Sequence, residues 1–92
     1  MLYALICTDK EDSEELRKTI RPDHLDYLKN FNVKMAGPML ADDNSTMIGS
    51  IILIECNSKM EAEDFASGDP YKQAELFTKV SISGFRPSIP PS

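Results

Sequence analysis

The stretch Met47-Ile48-Gly49-Ser50-Ile51-Ile52-Leu53-Ile54-Glu55-Cys56 is nearly continuous in apolar residues and rich in β-branched ones. β-Branched side chains favour strands, and an apolar run of this length is typical of a strand with both faces covered. Residues 2–8 form a second run of the same kind, which the polar pair Asp9-Lys10 ends. These two strands are expected at the centre of a sheet.

Two weaker patterns supply the outer strands. Residues 33–37 and 79–85 alternate apolar with polar or small side chains, which predicts strands with one wet face, the first ending near Gly37-Pro38. With helical segments between them, the order β-α-β-β-α-β predicts an α+β fold, a ferredoxin-like four-stranded antiparallel sheet. We expect one domain over residues 1–86 and an extended C-terminal tail over residues 87–92.

The first helical region is divided by a proline. An apolar stripe that contains Ile20 and His24 continues past Pro22. A proline inside a helix costs about 3 kcal/mol, whereas at the first helical position it costs little. We therefore predict two short helices, residues 13–18 and 22–30, with His24 in the first turn of the second.

The second helical region has clear signals at both ends. Asn57 or Ser58 can cap its start, and Gly68 is a typical helix stop. Asp69-Pro70 then has the form of an N-cap followed by proline at the first position of another short helix.

The predicted topology leaves one face of the sheet without helices. The two central strands are apolar on both faces, and an exposed apolar face of that size is rare on a stable monomer. We expect a second copy to cover it, giving a homodimer. The face that the two copies share should present residues such as Leu53 or Ile52 and Leu5 or Ile6.

Composition excludes several classes of partner. Fifteen acidic and ten basic side chains give a net charge of −5, which repels nucleic-acid phosphates and anionic membrane surfaces. The chain has no run of 18 apolar residues and no signal-peptide pattern at its start. We expect a cytoplasmic protein that binds neither nucleic acid nor membranes.

The two cysteines, Cys7 and Cys56, show no CxxC or Cys/His grouping. Each ends an apolar run, where cysteine commonly acts as a small buried hydrophobe. The topology puts them at opposite ends of the sheet, beyond the reach of a disulfide. No metal and no cofactor is expected.

His24 is the only histidine, and the topology brings it to the same rim of the sheet as Asp69. A carboxylate within hydrogen-bond reach would orient the imidazole for acid/base chemistry. Two structural alternatives stand beside this hypothesis: His24 is a hydrogen-bonded core residue, and Asp69 only caps the helix after it.

Further candidates surround this pair. Arg17 and Arg21 either clamp a substrate carboxylate or form solvated ion pairs. The Gly37-Pro38 turn and Tyr71 are expected to border the same pocket. Gly49-Ser50 marks either a β-bulge or an oxyanion site.

Nearly the whole chain resembles the YciI-like proteins. The resemblance is carried jointly by Met1-Leu2-Tyr3, Asp9-Lys10 with Asp12-Ser13, Arg17 with Arg21-Pro22 and His24-Leu25, Ala36-Gly37-Pro38, Gly49-Ser50, and Asp69-Pro70-Tyr71. It implies the dimeric α+β barrel and a cleft with a His–Asp pair, carried here onto His24 and Asp69. The connection from Gly37-Pro38 to Gly49-Ser50 lacks the glycine-rich insertion of many relatives, so no lid is implied.

This family includes an enzyme that eliminates hydrogen chloride from a chlorinated muconolactone-type substrate, and its fold is shared with muconolactone isomerase. The resemblance therefore implies a lyase-like or isomerase-like enzyme. His24 would transfer the proton, Asp69 would orient it, and Arg17 or Arg21 would hold a small anionic metabolite. The alternative is a non-catalytic ligand-binding or accessory homodimer, in which the pair only orders the cleft.

Overall fold

The computed structural model describes residues 1–91. The elements in chain order are β1 (Leu2–Asp9), α1 (Glu14–Leu28), β2 (Val33–Leu40), β3 (Met47–Glu55), α2 (Lys59–Gly68), α3 (Pro70–Gln73) and β4 (Phe77–Phe85).

The strands form one antiparallel sheet in the order β2-β3-β1-β4. The two apolar runs are therefore the central strands, which confirms the predicted α+β topology. The helices cover one face of the sheet, and the core lies between them. Its buried apolar residues are Leu5, Cys7, Leu28, Ile52, Ile54, Cys56, Ala62, Phe65, Tyr71, Leu76 and Phe77.

The register of β1 against β3 decides which residues face the helices. Leu5 pairs with Ile52, and both are buried beneath the helices. Because side chains alternate between faces, the next pair, Ile6 and Ile51, lies on the open face, where the two are 38% and 43% exposed. Leu53 shares that face.

Helix α1 is continuous from Glu14 to Leu28, so the predicted break at Pro22 is wrong. His24 lies well inside this helix and not in a first turn. Pro22 and Lys18, whose carbonyl loses its hydrogen bond, are both exposed, so water can solvate that carbonyl. Buried side chains before and after the proline, among them Arg17 and His24, anchor both halves of the helix.

Strand β2 extends to Leu40, three residues beyond the predicted end, so Gly37-Pro38 is not a turn. Gly37 pairs with Ile51 and Pro38 with Ser50 inside the ladder. Since β2 is an edge strand, a proline there interrupts no sheet beyond it.

At the C-terminus, β4 begins two residues before the predicted start. The tail is not simply extended, because Ser88 and Pro91 form an isolated bridge; Ser92 lies outside the described residues. Cys7 and Cys56 are buried free thiols near opposite ends of the β1–β3 pair. In the described range, no helix has the length and hydropathy needed to cross a membrane.

Candidate functional site

His24 projects from α1 toward the start of α3, where Asp69 lies. The Nδ1 atom of His24 is 2.8 Å from Oδ1 of Asp69, and the two residues are only 5% and 2% exposed. Asp69 also caps α3, because the same oxygen accepts a hydrogen bond of 2.9 Å from the Tyr71 backbone N–H. The carboxylate therefore makes both the predicted capping contact and the contact with the imidazole.

This contact constrains which ring nitrogen of His24 carries the proton. An ionised carboxylate only accepts hydrogen bonds, so the ring must donate from Nδ1. In the neutral ring, Nε2 is then the nitrogen with a free lone pair. The Nδ1 atom is thus engaged in the hydrogen bond with Asp69, while the same histidine also lines a cavity.

The ring of Tyr71 stacks on His24, with centroids 3.9 Å apart and an angle of 17° between the planes. On the same phenol ring lies the Arg17 guanidinium, its Cζ 4.6 Å from the centroid. Burial raises the pKa of Tyr71, and the nearby charges of Arg17 and Arg21 oppose that shift in part. Tyr71 is thus a neutral ring that contacts both His24 and Arg17.

Arg17 is buried and forms a bidentate pair with Asp9, at 2.7 Å from Nε and 2.9 Å from an Nη2 atom. The same Nη2 donates to the Ser50 hydroxyl at 2.8 Å. Burial opposes the charge of Arg17, but the Asp9 carboxylate outweighs it, so the pKa of Arg17 is raised. This arrangement differs from a solvated surface ion pair.

A cavity of about 110 Å³ lies between α1 and strands β2 and β3. It brings together most of the predicted site residues, namely Arg17, Arg21, His24, Gly37, Pro38, Ser50 and Tyr71. Asp69 is not part of the cavity lining but is hydrogen-bonded to His24, which is. Gly49 lies outside the lining, next to Ser50, where a Cβ atom would clash with the backbone oxygen of Cys7.

The register shift near Gly49-Ser50 falls between Gly49 and Met47, so Ser50 itself sits in a regular ladder. Cys7, which pairs with Ser50 across the sheet, is no nucleophile at neutral pH. Burial, with a contribution from Asp69, raises the pKa of its thiol to about 12.

Sequence reasoning missed the role of Asp9, which it placed only as the end of a strand. One signal for this role was available in the sequence. A carboxylate ends a buried strand, and an arginine follows eight residues later on the helix that packs over that strand. It also missed the apolar wall of the cavity, to which Leu25, Met47 and Ile52 belong. Those residues look like ordinary core positions in the sequence.

Within residues 1–91, no group of three or more His, Cys, Asp or Glu side chains is arranged to hold a metal ion. The groups available in the cavity are an imidazole, a hydroxyl, a phenol ring and guanidinium groups. They are suited to hydrogen bonding, anion binding and proton transfer.

The sheet order and the cleft between sheet and first helix define the class: this is the fold of the dimeric α+β barrel proteins. The chain belongs to the YCII family, since the YCII-related domain matches residues 1–86. It is 35% identical to protein YciI of Escherichia coli O6:H1, over 94% of this chain and 97% of that protein. An uncharacterized protein of Haemophilus influenzae is 27% identical over the same shares.

Among solved structures, the chain is similar to 5-chloro-2-hydroxyhydroquinone dehydrochlorinase from Burkholderia phenoliruptrix AC1100, in complex with 2,5-dihydroxybenzoquinone. The TM-score is 0.87, the identity is 24%, and each chain is covered completely. This likeness establishes the shared fold.

Proposed function

We propose that this protein is a small enzyme in which His24, oriented by Asp69, transfers a proton in the elimination or isomerisation of a small anionic metabolite. The observation that carries the proposal is the buried contact of 2.8 Å between His24 Nδ1 and Asp69, made by a histidine that lines a cavity. It leaves Nε2 free to act as the base.

In this proposal, Nε2 removes a proton from a substrate carbon, and the Asp69 carboxylate stabilises the imidazolium that forms. The electron pair left on carbon then expels a leaving group in an elimination. In an isomerisation it is delocalised and the imidazolium returns the proton at a second carbon. Both outcomes use the same pair of side chains.

The substrate is proposed to be one small ring that carries negative charge. A cavity of 150 Å³ is known to hold benzene, so about 110 Å³ with an open mouth suits a single ring inserted in part. The dehydrochlorinase with the same fold acts on a single-ring substrate and was solved with a single-ring quinone. Arg21, at the mouth, supplies a positive charge.

We further propose that two copies pack through the open face of the sheet. Apolar side chains there remain uncovered in the single chain, with Ile6, Ile51 and Met35 all exposed. An apolar surface of this kind is typical of an interface. Stable interfaces of this type bury on the order of 2,000 Å² or more.

The test is an activity screen on unsaturated lactones, ring carboxylates and chlorinated hydroxyhydroquinones, read as chloride release and as loss of substrate absorbance. His24→Gln, which keeps a polar side chain of similar size, should lower kcat by at least about a hundredfold if His24 is the general acid/base group. Asp69→Asn should lower it as well, whereas Asp64→Asn, on the exposed side of α2, is the matched control. Turnover that is unchanged in His24→Gln would remove the catalytic role of His24. No turnover of any of these compounds by the unmodified protein would instead favour the ligand-binding homodimer.

A further inference from the structure

We infer that Ser50 donates a hydrogen bond to the substrate and that Arg17 is a positioning residue that acts through Ser50 without binding the anion itself. This inference rests on the proposed function, because it assigns a second group of side chains, Asp9, Arg17 and Ser50, to the cavity that His24 lines. Of the two arginines considered for binding the substrate anion, Arg17 and Arg21, only Arg21 then keeps that role.

The first observation is the state of the Ser50 hydroxyl. Ser50 is buried, it lines the cavity, and its Oγ accepts a hydrogen bond of 2.8 Å from Arg17. A hydroxyl has one proton to donate and two lone pairs. Since a guanidinium has no acceptor, this contact uses a lone pair and leaves the proton for another partner. In the described part of the chain, the Ser50 hydroxyl makes no hydrogen bond as a donor.

The second observation is that the charge of Arg17 is already matched. Both Asp9 oxygens accept from Arg17, and the two side chains are 3% exposed. The buried pair is therefore neutral as a unit and offers little net attraction to an anion. Arg21 differs, because within residues 1–91 it has no carboxylate at ion-pair distance. Arg21 thus supplies the charge, and Arg17 fixes a geometry.

The third observation is that one ring contacts both groups of side chains, the one with His24 and the one with Arg17. The ring of Tyr71 makes two contacts: it stacks on the imidazole of His24, and the guanidinium of Arg17 lies over it. The pair Asp69–His24 and the chain Asp9–Arg17–Ser50 consequently border one cavity in a fixed relation.

This placement gives Ser50 a chemical role. When His24 removes a proton from a carbon beside a carbonyl, the electron pair moves toward the carbonyl oxygen, which gains negative charge. A donor already oriented toward that oxygen stabilises the charge without reorganising during the reaction. The Ser50 proton is shared with the oxygen and is not transferred, so the proton balance of the step involves only His24 and the substrate.

The test is a double-mutant cycle on the binding of 2,5-dihydroxybenzoquinone, measured by calorimetry. Ser50→Ala should weaken binding about tenfold to a hundredfold, because the hydrogen bond is made to a charged oxygen. Ser50→Thr, which keeps the hydroxyl, should lose much less. Ser67→Ala, at an exposed position of α2 outside the sheet, is the control.

Arg17→Lys keeps the charge but cannot hold Asp9 and Ser50 at once in the forked geometry. It should weaken binding about as much as Ser50→Ala, and it should cause less than about a twofold further loss when added to Ser50→Ala. If Arg17→Lys does not fold, the charge-neutral pair Asp9→Asn with Arg17→Gln replaces it in the cycle. Thermal unfolding of each variant separates loss of binding from loss of structure.

Three results would overturn the inference: no binding of the probe by the unmodified protein, unchanged binding in Ser50→Ala, or equal losses from Arg17→Lys in both backgrounds. The last would mean that Arg17 contacts the anion directly. The measurement is of binding alone, so it remains decisive even if His24→Gln keeps full turnover and the proposed chemistry fails.

Discussion

Asp69 and His24 are 45 positions apart in the chain, yet Oδ1 of the one lies 2.8 Å from Nδ1 of the other. The contact depends on the register of α1 over the sheet and on the cap that Asp69 provides to α3. Because that cap fixes the carboxylate independently of the histidine, the imidazole meets an acceptor whose position is already set. A rigid acceptor of this kind is what an acid/base histidine requires.

The tautomer of His24 is the first prediction. In the neutral ring, the proton should lie on Nδ1, because Asp69 accepts it, and Nε2 should be unprotonated. The ¹⁵N shifts of this single imidazole distinguish the two tautomers directly. Asp69→Asn should abolish the strong preference, and Asp64→Asn should leave it intact. A proton on Nε2 in the unmodified protein would contradict the assigned base.

Removing only one partner of the buried pair of Arg17 and Asp9 should destabilise the fold strongly, because the other charge would stay buried without a partner. Asp9→Asn leaves a buried guanidinium without its counter-charge, and we expect the free energy of unfolding to fall by about 3–5 kcal/mol. Replacing both partners, as Asp9→Leu with Arg17→Met, should destabilise less than the single change. Urea unfolding of the three proteins tests this ordering, and a double variant less stable than Asp9→Asn would reverse it.

Cys7 should weaken the fold at alkaline pH. Its pKa in the folded protein is about 12, above the ordinary value of 9.0, so the unfolded chain loses the thiol proton first. Stability from this group is therefore unaffected below pH 9.0 and falls as pH rises above it, by up to about 1.4 kcal/mol per pH unit. Cys7→Ala should flatten the alkaline limb of the unfolding free energy. A slope unchanged by the substitution would mean that the thiol does not retain its proton in the folded state.

The open face of the sheet should determine the assembly. Ile6→Lys places a charge among exposed apolar residues and should convert a homodimer into a monomer of 10.3 kDa. Met60→Lys is a matched control, since Met60 is an exposed apolar residue on α2, outside the sheet. Light scattering at micromolar concentration gives the masses. An unmodified protein that already measures 10.3 kDa would exclude the dimer under those conditions.

The sequence alone determined the order of the elements and the two central strands, because hydrophobic periodicity and capping residues act over a few positions. The sequence also predicted that His24 and Asp69 lie at the same rim of the sheet, because their positions there follow from the topology. Local rules failed at two prolines. Pro22 lies inside a helix that buried Arg17 and His24 hold on both sides, and Pro38 is tolerated in an edge strand.

Only the tertiary structure decided which of two adjacent apolar residues faces the core. In a run that is apolar throughout, alternation has no visible phase, so the choice of Leu5 over Ile6 came from register and helix packing. The same holds for the role of Arg17. The sequence shows an arginine near a histidine, but its burial against Asp9 depends on where β1 ends beneath α1. Local patterns encode neither relation, because both join residues through the packed interior.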